Sequence, residues 1–350
     1  LMNLLIARFT KFKYVFLTGH HSLFMACLMS AVLGTAGLSG IELILVGGFL
    51  MGAWSAISPA IGQSYTSKVT DGDEIALGHF GSLGYYLSAW VAKYVGKAEE
   101  STEDIEIPEK WGFLRDSTLS TALTMIVFYL IAAIAAGSEF VATLSGSMSP
   151  YLFAVMSAMN FAVGVAIVYS GVRMILGDLI PAFQGIATKI IPNAIPAVDC
   201  AVFFTYAPTA VVLGFISSFI GGIIGMLILG AVGGVLIIPG LVPHFFCGAT
   251  AGIYGNATGG RRGAAVGAFL NGLAITFLPA LALPVLGQLG FQNTTFGDAD
   301  FAVMGLVLGN AFEWIGMAGI YGVVVIAALV LIIPNFIKTK GKVINYVEEE

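Results

Sequence analysis

Long apolar runs separated by short polar stretches dominate this chain. A membrane-spanning helix needs about 20 mostly apolar residues. The runs Tyr14–Leu38, Ile41–Ile57 (closed by Pro59), Ser117–Ala136, Tyr151–Met174, Ala201–Phe219, Gly222–Ile238 and Ala264–Leu286 are of that order. The last run, Phe301–Ile333, is longer than one span and holds Asn310 and Glu313, which predicts a short broken helix followed by a full one. The expected architecture is an all-α polytopic membrane protein with about eight or nine spans.

Several segments depart from that pattern. Ile75–Val95 and Pro243–Arg262 are rich in glycine and partly polar. Both predict re-entrant or interfacial elements, because irregular backbone at membrane depth must be covered by protein. Ile175–Ile191 carries Asp178, Gln184 and Lys189 among apolar residues, as an amphipathic interfacial helix would. Gln63–Glu74 is polar, and Lys97–Lys110 holds six acids and two lysines, so it is expected to be a water-exposed acidic loop. GHFGSLGYYLS and PHFFCGATAGIYGN echo one another weakly, one in each half. Paired broken segments often mark the binding site of a transporter built from repeats.

Composition agrees with lipid contact. Of the 350 residues 58% are hydrophobic and only 10% charged, against about 25% charged in soluble domains. The net charge of −5 argues against a nucleic-acid partner. Cys27, Cys200 and Cys247 are isolated in sequence, so neither a zinc site nor a disulfide framework is indicated, and no cofactor is expected. Asn256 and Asn293 head glycosylation-type sequons, which matter only for a secreted chain. No phosphate-binding loop and no nucleophile with a plausible base is present, so no catalytic residue is assigned. Lys338, Lys340 and Lys342 put the C-terminal end in the cytoplasm by the positive-inside rule.

Three ionisable residues stand out because charge at membrane depth is costly and usually functional. His20, in LTGHHSLF, follows Thr18 and Gly19, where glycine permits a local break. A neutral imidazole both donates and accepts, which suits a hydroxylated ligand; an interfacial, water-satisfied histidine is the competing reading. His21 is expected to point elsewhere and to be structural. His79 opens an aromatic segment, where a helix start would favour an anionic group; a water-satisfied interfacial histidine is the competing reading, and local sequence alone favours it. Asp199 lies between proline-rich IPNAIPAV and AVFFTYAP. It is read as a ligand or proton site, with capping of the next helix as the alternative. Asp298 and Asp300 read as loop acids and a cap, and Glu313 as a partner for an unnamed arginine.

The segments FTKFKYVFLTGHH (Phe9–His21), VTDGDEIALGH (Val69–His79), KAEESTEDIEIP (Lys97–Pro108), RMILGDLIPAFQGI (Arg173–Ile186), IPNAIPAVDCAVFFTYAPTAVVLGF (Ile191–Phe215) and IIPGLVPHFFCGATAGIYGNATGGRRGA (Ile237–Ala264) keep their order across most of the chain. On them the chain resembles the membrane-embedded C component, or permease, of the ascorbate-type phosphotransferase systems. The resemblance implies an elevator-type carrier with core and scaffold parts, a homodimer in the bacterial inner membrane, and L-ascorbate or a related sugar acid as ligand. It also implies a cytoplasmic B component that phosphorylates the bound sugar acid. The family's ligand-contacting residues fall on His20, His79 and Asp199. Where ascorbate carriers tend to have two glutamines this chain has Phe24 and Phe80, which with Thr18 and Gly19 are expected beside the substrate. Losing two amides points to a related but different ligand. The family also has membrane segments before the region matching Leu1, so a single permease domain over residues 1–350, incomplete at its N-terminus, is expected. Two other readings compete: an ion-coupled secondary transporter with Asp199 as its proton site, and a truncated, non-transporting membrane protein.

Overall fold

A computed structural model describes residues 1–72, 74–106, 110, 116–287 and 295–336. Lys338, Lys340, Lys342, Asn293 and part of the acidic loop lie outside the described residues. Helices dominate: α1 (Met2–Phe9), α2 (Gly19–Thr35), α3 (Gly40–Thr70), α4 (Ser82–Val95), α5 (Ser117–Ala136), α6 (Ser138–Ser145), α7 (Pro150–Lys189), α8 (Cys200–Phe203), α9 (Pro208–Ala231), α10 (Leu241–Gly287), α11 (Ala299–Ile315) and α12 (Met317–Phe336). Between them lie three short strands, β1 (Tyr14–Phe16), β2 (Ala76–Leu77) and β3 (Ile195–Val198).

Among the described residues six helices are long and apolar enough to cross a membrane: Gly40–Thr70, Thr118–Ala136, Pro150–Gly171, Pro208–Ala231, Leu241–Leu286 and Met317–Phe336. This is fewer than the eight or nine expected, for identifiable reasons. The run from Tyr14 begins as a strand, leaving α2 only 17 residues long, and α11 is also 17. The two runs over Ala201–Phe219 and Gly222–Ile238 form one helix, α9, because Gly221 and Gly222 pack against Phe269 and His244 instead of turning the chain. Ile175–Ile191 is the continuation of α7 rather than a separate helix. The last run divides as expected, with Gly316 (φ 66°) between α11 and α12.

Nor does α3 stop at Pro59. It continues to Thr70, so most of the polar stretch after Gln63 is helix rather than loop. Side-chain hydroxyls keep its polar end satisfied: Thr66 and Ser67 donate to the carbonyls one turn back, and Thr66 meets Tyr254 at 2.7 Å.

The two expected re-entrant segments are half-helices lying side by side. β2 leads inward, and α4 then runs back parallel to the C-terminal half of α3, with Ser82 level with Trp54, Tyr86 against Gly62 and Lys93 over the Tyr65 ring. The first limb of α10 runs alongside it, Ser88 bonding Ala251 and Thr258 bonding Ala89. The chain then breaks at Gly259–Gly260 and the second limb returns, Gly267 on Ser88 and Asn271 on Gly84. Gly260 has φ 59° with its backbone against the carbonyls of Lys97 and Glu100, a place no side chain could take.

The acidic stretch is not wholly solvated. Thr102 is buried and donates its N–H to Asn256 Oδ1 at 2.8 Å. Glu103 accepts the N–H groups of Thr209 and Ala210 at the start of α9, where a carboxylate complements the helix dipole.

Candidate functional site

The sheet sets the site. Its order is β1-β3-β2, all parallel, with Tyr14 paired to Ile195 and Ala76 to Ala197. Parallel strands start at one end and finish at the other, so whatever follows each C-terminus meets. Leu17 N–H continues the ladder to Ala197, and Gly78 N–H to Val198 at 2.7 Å. Thr18 Oγ1 donates to the Gly78 carbonyl, fastening the ends of β1 and β2. At Gly78 a Cβ would strike the Ala197 carbonyl, so this register requires glycine. The residues delivered at the three strand ends are Thr18, Gly19 and His20, then His79, then Asp199. Ligand sites at the carboxyl ends of parallel strands are familiar from open α/β sheets; here three short strands present the same kind of edge inside a helical protein.

These residues line one cavity of about 800 Å³, together with Phe24, His21, Asp298 and an apolar wall that includes Val168, Val242, Phe246, Phe296 and Phe301. The N-termini of α2, α10 and α11 contribute to the wall. The first turns of α2 and α11 carry no side-chain cap bond. Helix N-termini aimed at a cavity favour anionic groups.

His20 Nε2 lies 3.5 Å from Asp199 Oδ2 at the exposed side of the cavity, their side chains 61% and 28% exposed. Asp199 fills both roles weighed for it. Its Oδ1 accepts the Ala201 N–H at 3.0 Å and caps α8. Its Oδ2 is enclosed and has no hydrogen-bond partner.

His79 is buried, and its Nδ1 accepts the Gly81 N–H at 3.1 Å, with Tyr85 Oη 2.9 Å away. An acceptor Nδ1 leaves the proton on Nε2. Burial lowers the pKa of this imidazole, reinforced by the nearby His20, so the neutral donor form is kept. One polar atom each of His21, His79 and Asp298 lie within 4.8 Å of one another, a spacing a metal ion could use. The Gly81 bond works against that use, since His79 has one nitrogen accepting and the other protonated.

Two expectations need correction. His21 is not turned away: its ring lies 3.9 Å from that of His79 and it lines the cavity, with Nδ1 3.8 Å from Asp298 Oδ2. Asp298 stands at the N-cap position of α11 but makes no side-chain cap bond; its Oδ1 accepts from Cys247 Sγ at 2.6 Å. Burial lifts its carboxyl to about 6, against the opposing pull of the Cys247 bond. Asp300 is no loop acid either. It is fully buried in α11 and accepts from Trp54 Nε1, Ser82 Oγ and Leu83 N, tying α3, α4 and α11 together. Glu313 is exposed at the end of α11.

Of the two phenylalanines, Phe24 is half exposed at the cavity wall. Phe80 stands behind that wall, fully buried and stacked on Phe16 with centroids 4.6 Å apart.

The ascorbate-specific PTS system EIIC component of Mycoplasma pneumoniae is 24% identical over 294 residues, a match that covers 72% of this chain and 44% of that relative. The chain thus spans less than half the length of the curated relative it matches. A family model described as the PTS system sugar-specific permease component matches residues 1–300. With that match over most of its length and six helices suited to crossing a bilayer, the chain belongs to the sugar-specific permease components of the phosphotransferase system, multi-pass proteins of the bacterial inner membrane.

Proposed function

We propose that this chain binds L-ascorbate or a closely related sugar acid and carries it across the inner membrane for phosphorylation by a cytoplasmic B component. The observation that carries this reading is the convergence of three strand ends on one cavity, which brings His20, His79 and Asp199 together. In the proposed complex the Nε2–H of His79 donates to an enediol oxygen, His20 binds a neighbouring oxygen, and the free Oδ2 of Asp199 accepts from a hydroxyl. The helix N-termini offset the charge of an acid ligand. Similarity to the ascorbate-specific relative supports the ligand class. Phe24, an aromatic ring where ascorbate carriers tend to have an amide, favours a ligand that differs from ascorbate where that amide would reach.

Orientation follows from charge. Arg8, Lys11 and Lys13 precede β1, Lys68 ends α3, Lys93 and Lys97 end α4, and Arg261 and Arg262 follow the break in α10. The opposite connections, residues 36–39, 137–149 and 232–240, contain no Lys or Arg. The positive-inside rule assigns the lysine- and arginine-bearing end to the cytoplasm, so the strands enter from the side where the B component acts. We further propose homodimeric, elevator-type carriage. The core would hold the sheet and half-helices, and α5–α7, whose outer faces expose Ile131, Ile134, Met156 and Ile167, would meet lipid or a second copy.

The test is binding of radiolabelled L-ascorbate to the purified chain with and without Asp199→Asn, followed by uptake into vesicles. Binding lost in the variant and uptake that needs the phosphorylated B component support the reading. Accumulation of unmodified substrate driven by a proton gradient alone, abolished by Asp199→Asn, would instead identify a secondary transporter that uses the His20–Asp199 pair as its proton site.

A further inference from the structure

The cavity holds a second imidazole–carboxylate pair, deeper than His20–Asp199. His21 is 4% exposed, and its buried Nδ1 has no hydrogen-bond partner. Asp298 Oδ2 lies 3.8 Å from it, too far for a direct hydrogen bond. Both groups are held in place. The His21 ring packs against His79, 3.9 Å away, and stacks nearly parallel to Phe301 at 5.7 Å. Asp298 is anchored through its other oxygen to Cys247, which itself bonds Tyr85.

We propose that His21 and Asp298 together hold one hydroxyl of the ligand, which makes Asp298 a specificity-determining residue; this rests on the reading that the cavity binds a sugar acid. An oxygen about 2.8 Å from both atoms spans their 3.8 Å separation, and its entry requires the enclosed Nδ1 of His21 to be uncovered. A carboxylate only accepts, so the ligand atom must donate to Asp298 while accepting from, or donating to, His21. A hydroxyl meets that requirement. A carbonyl, ether or carboxylate oxygen does not, and would leave Asp298 facing a second acceptor. The pair therefore selects for a ligand hydroxyl, which with the enediol assigned to His79 and His20 belongs to the polyol side chain, at a point directly beside His79.

Purified wild type and the Asp298→Ala and Asp298→Asn variants are compared for binding of radiolabelled L-ascorbate, in competition with its 5-deoxy and 6-deoxy analogues. Wild type is expected to prefer L-ascorbate over one analogue by about tenfold, the scale of a hydrogen bond to a charged group. Asp298→Ala should weaken L-ascorbate binding by a similar factor and erase that preference. The isosteric Asp298→Asn carries the same test if the alanine variant does not fold. Wild-type affinity and an intact preference in the variants would overturn the pair while leaving the cavity reading standing. Weakened binding with no analogue preference in wild type would also overturn it, because Asp298 would then act only through packing. Failure of wild type to bind L-ascorbate would remove the cavity reading itself and the pair with it.

Discussion

Asp298 and Asp300 are two residues apart and meet opposite circumstances. The Asp300 carboxylate is well matched, accepting from an indole N–H, a hydroxyl and a backbone N–H. Around Asp298 and Asp199 the same kinds of group leave atoms over: Asp199 Oδ2 and His21 Nδ1 are enclosed and unpartnered. Buried polar groups in native proteins are nearly always satisfied. An enclosed polar atom that makes no hydrogen bond and belongs to a residue lining the cavity, as at Asp199 and His21, is therefore proposed as a place for a ligand.

The largest expected effect tests the saturated side. Asp300→Ala strands three buried donors at about 1–3 kcal/mol each, so the variant should fail to give a monodisperse peak on size exclusion in detergent. A well-folded Asp300→Ala would dissolve the contrast. On the unsaturated side, Asp199→Ala should lower L-ascorbate affinity by about tenfold or more, with a melting temperature close to wild type; equilibrium binding and a melt on the same sample read both.

Asp298 should behave as a residue that costs stability. Its folded pKa of about 6 lies above the ordinary 3.8. Between these values the folded state holds the proton more tightly than the unfolded state, so this group's contribution improves as pH falls through 6 and is least favourable at neutral pH. Asp298→Asn removes the buried charge. It should melt about 2–4 °C higher than wild type at pH 7.5, with the gap closing towards pH 5. A lower melting temperature would class Asp298 with Asp300. The smallest effect concerns Phe24→Gln, which restores an amide at the exposed wall and should raise affinity for L-ascorbate by about two- to fivefold; unchanged affinity would separate Phe24 from ligand choice.

The sequence was informative where charge interrupts apolar surroundings. His20, His79 and Asp199 stood out for that reason, and the structure gathers them. α5 begins and ends where its apolar run does. His21 was missed because neighbours on a helix point about 100° apart. At the first turn of α2, however, the cavity wraps around the helix end and receives both rings. Asp298 was missed because a helix-preceding aspartate looks like a cap, and only the fold brings Cys247 against it. The strands were illegible, since two to four apolar residues carry no period of their own. Pro59 misled because it marks a helix end in water, whereas here packing on both sides carries α3 past it.

The central strand has a consequence for how this protein comes into being. β1 and β2 do not pair with each other; each pairs with β3, which is synthesised about 120 residues after β2 and about 180 after β1. Pairings this distant in sequence form slowly, because chain closure is lost before contact is gained. During synthesis His20 and His79 emerge without the strand that aligns them. The proposed binding site is therefore among the last features to assemble, and it cannot exist in any nascent chain that ends before Val198.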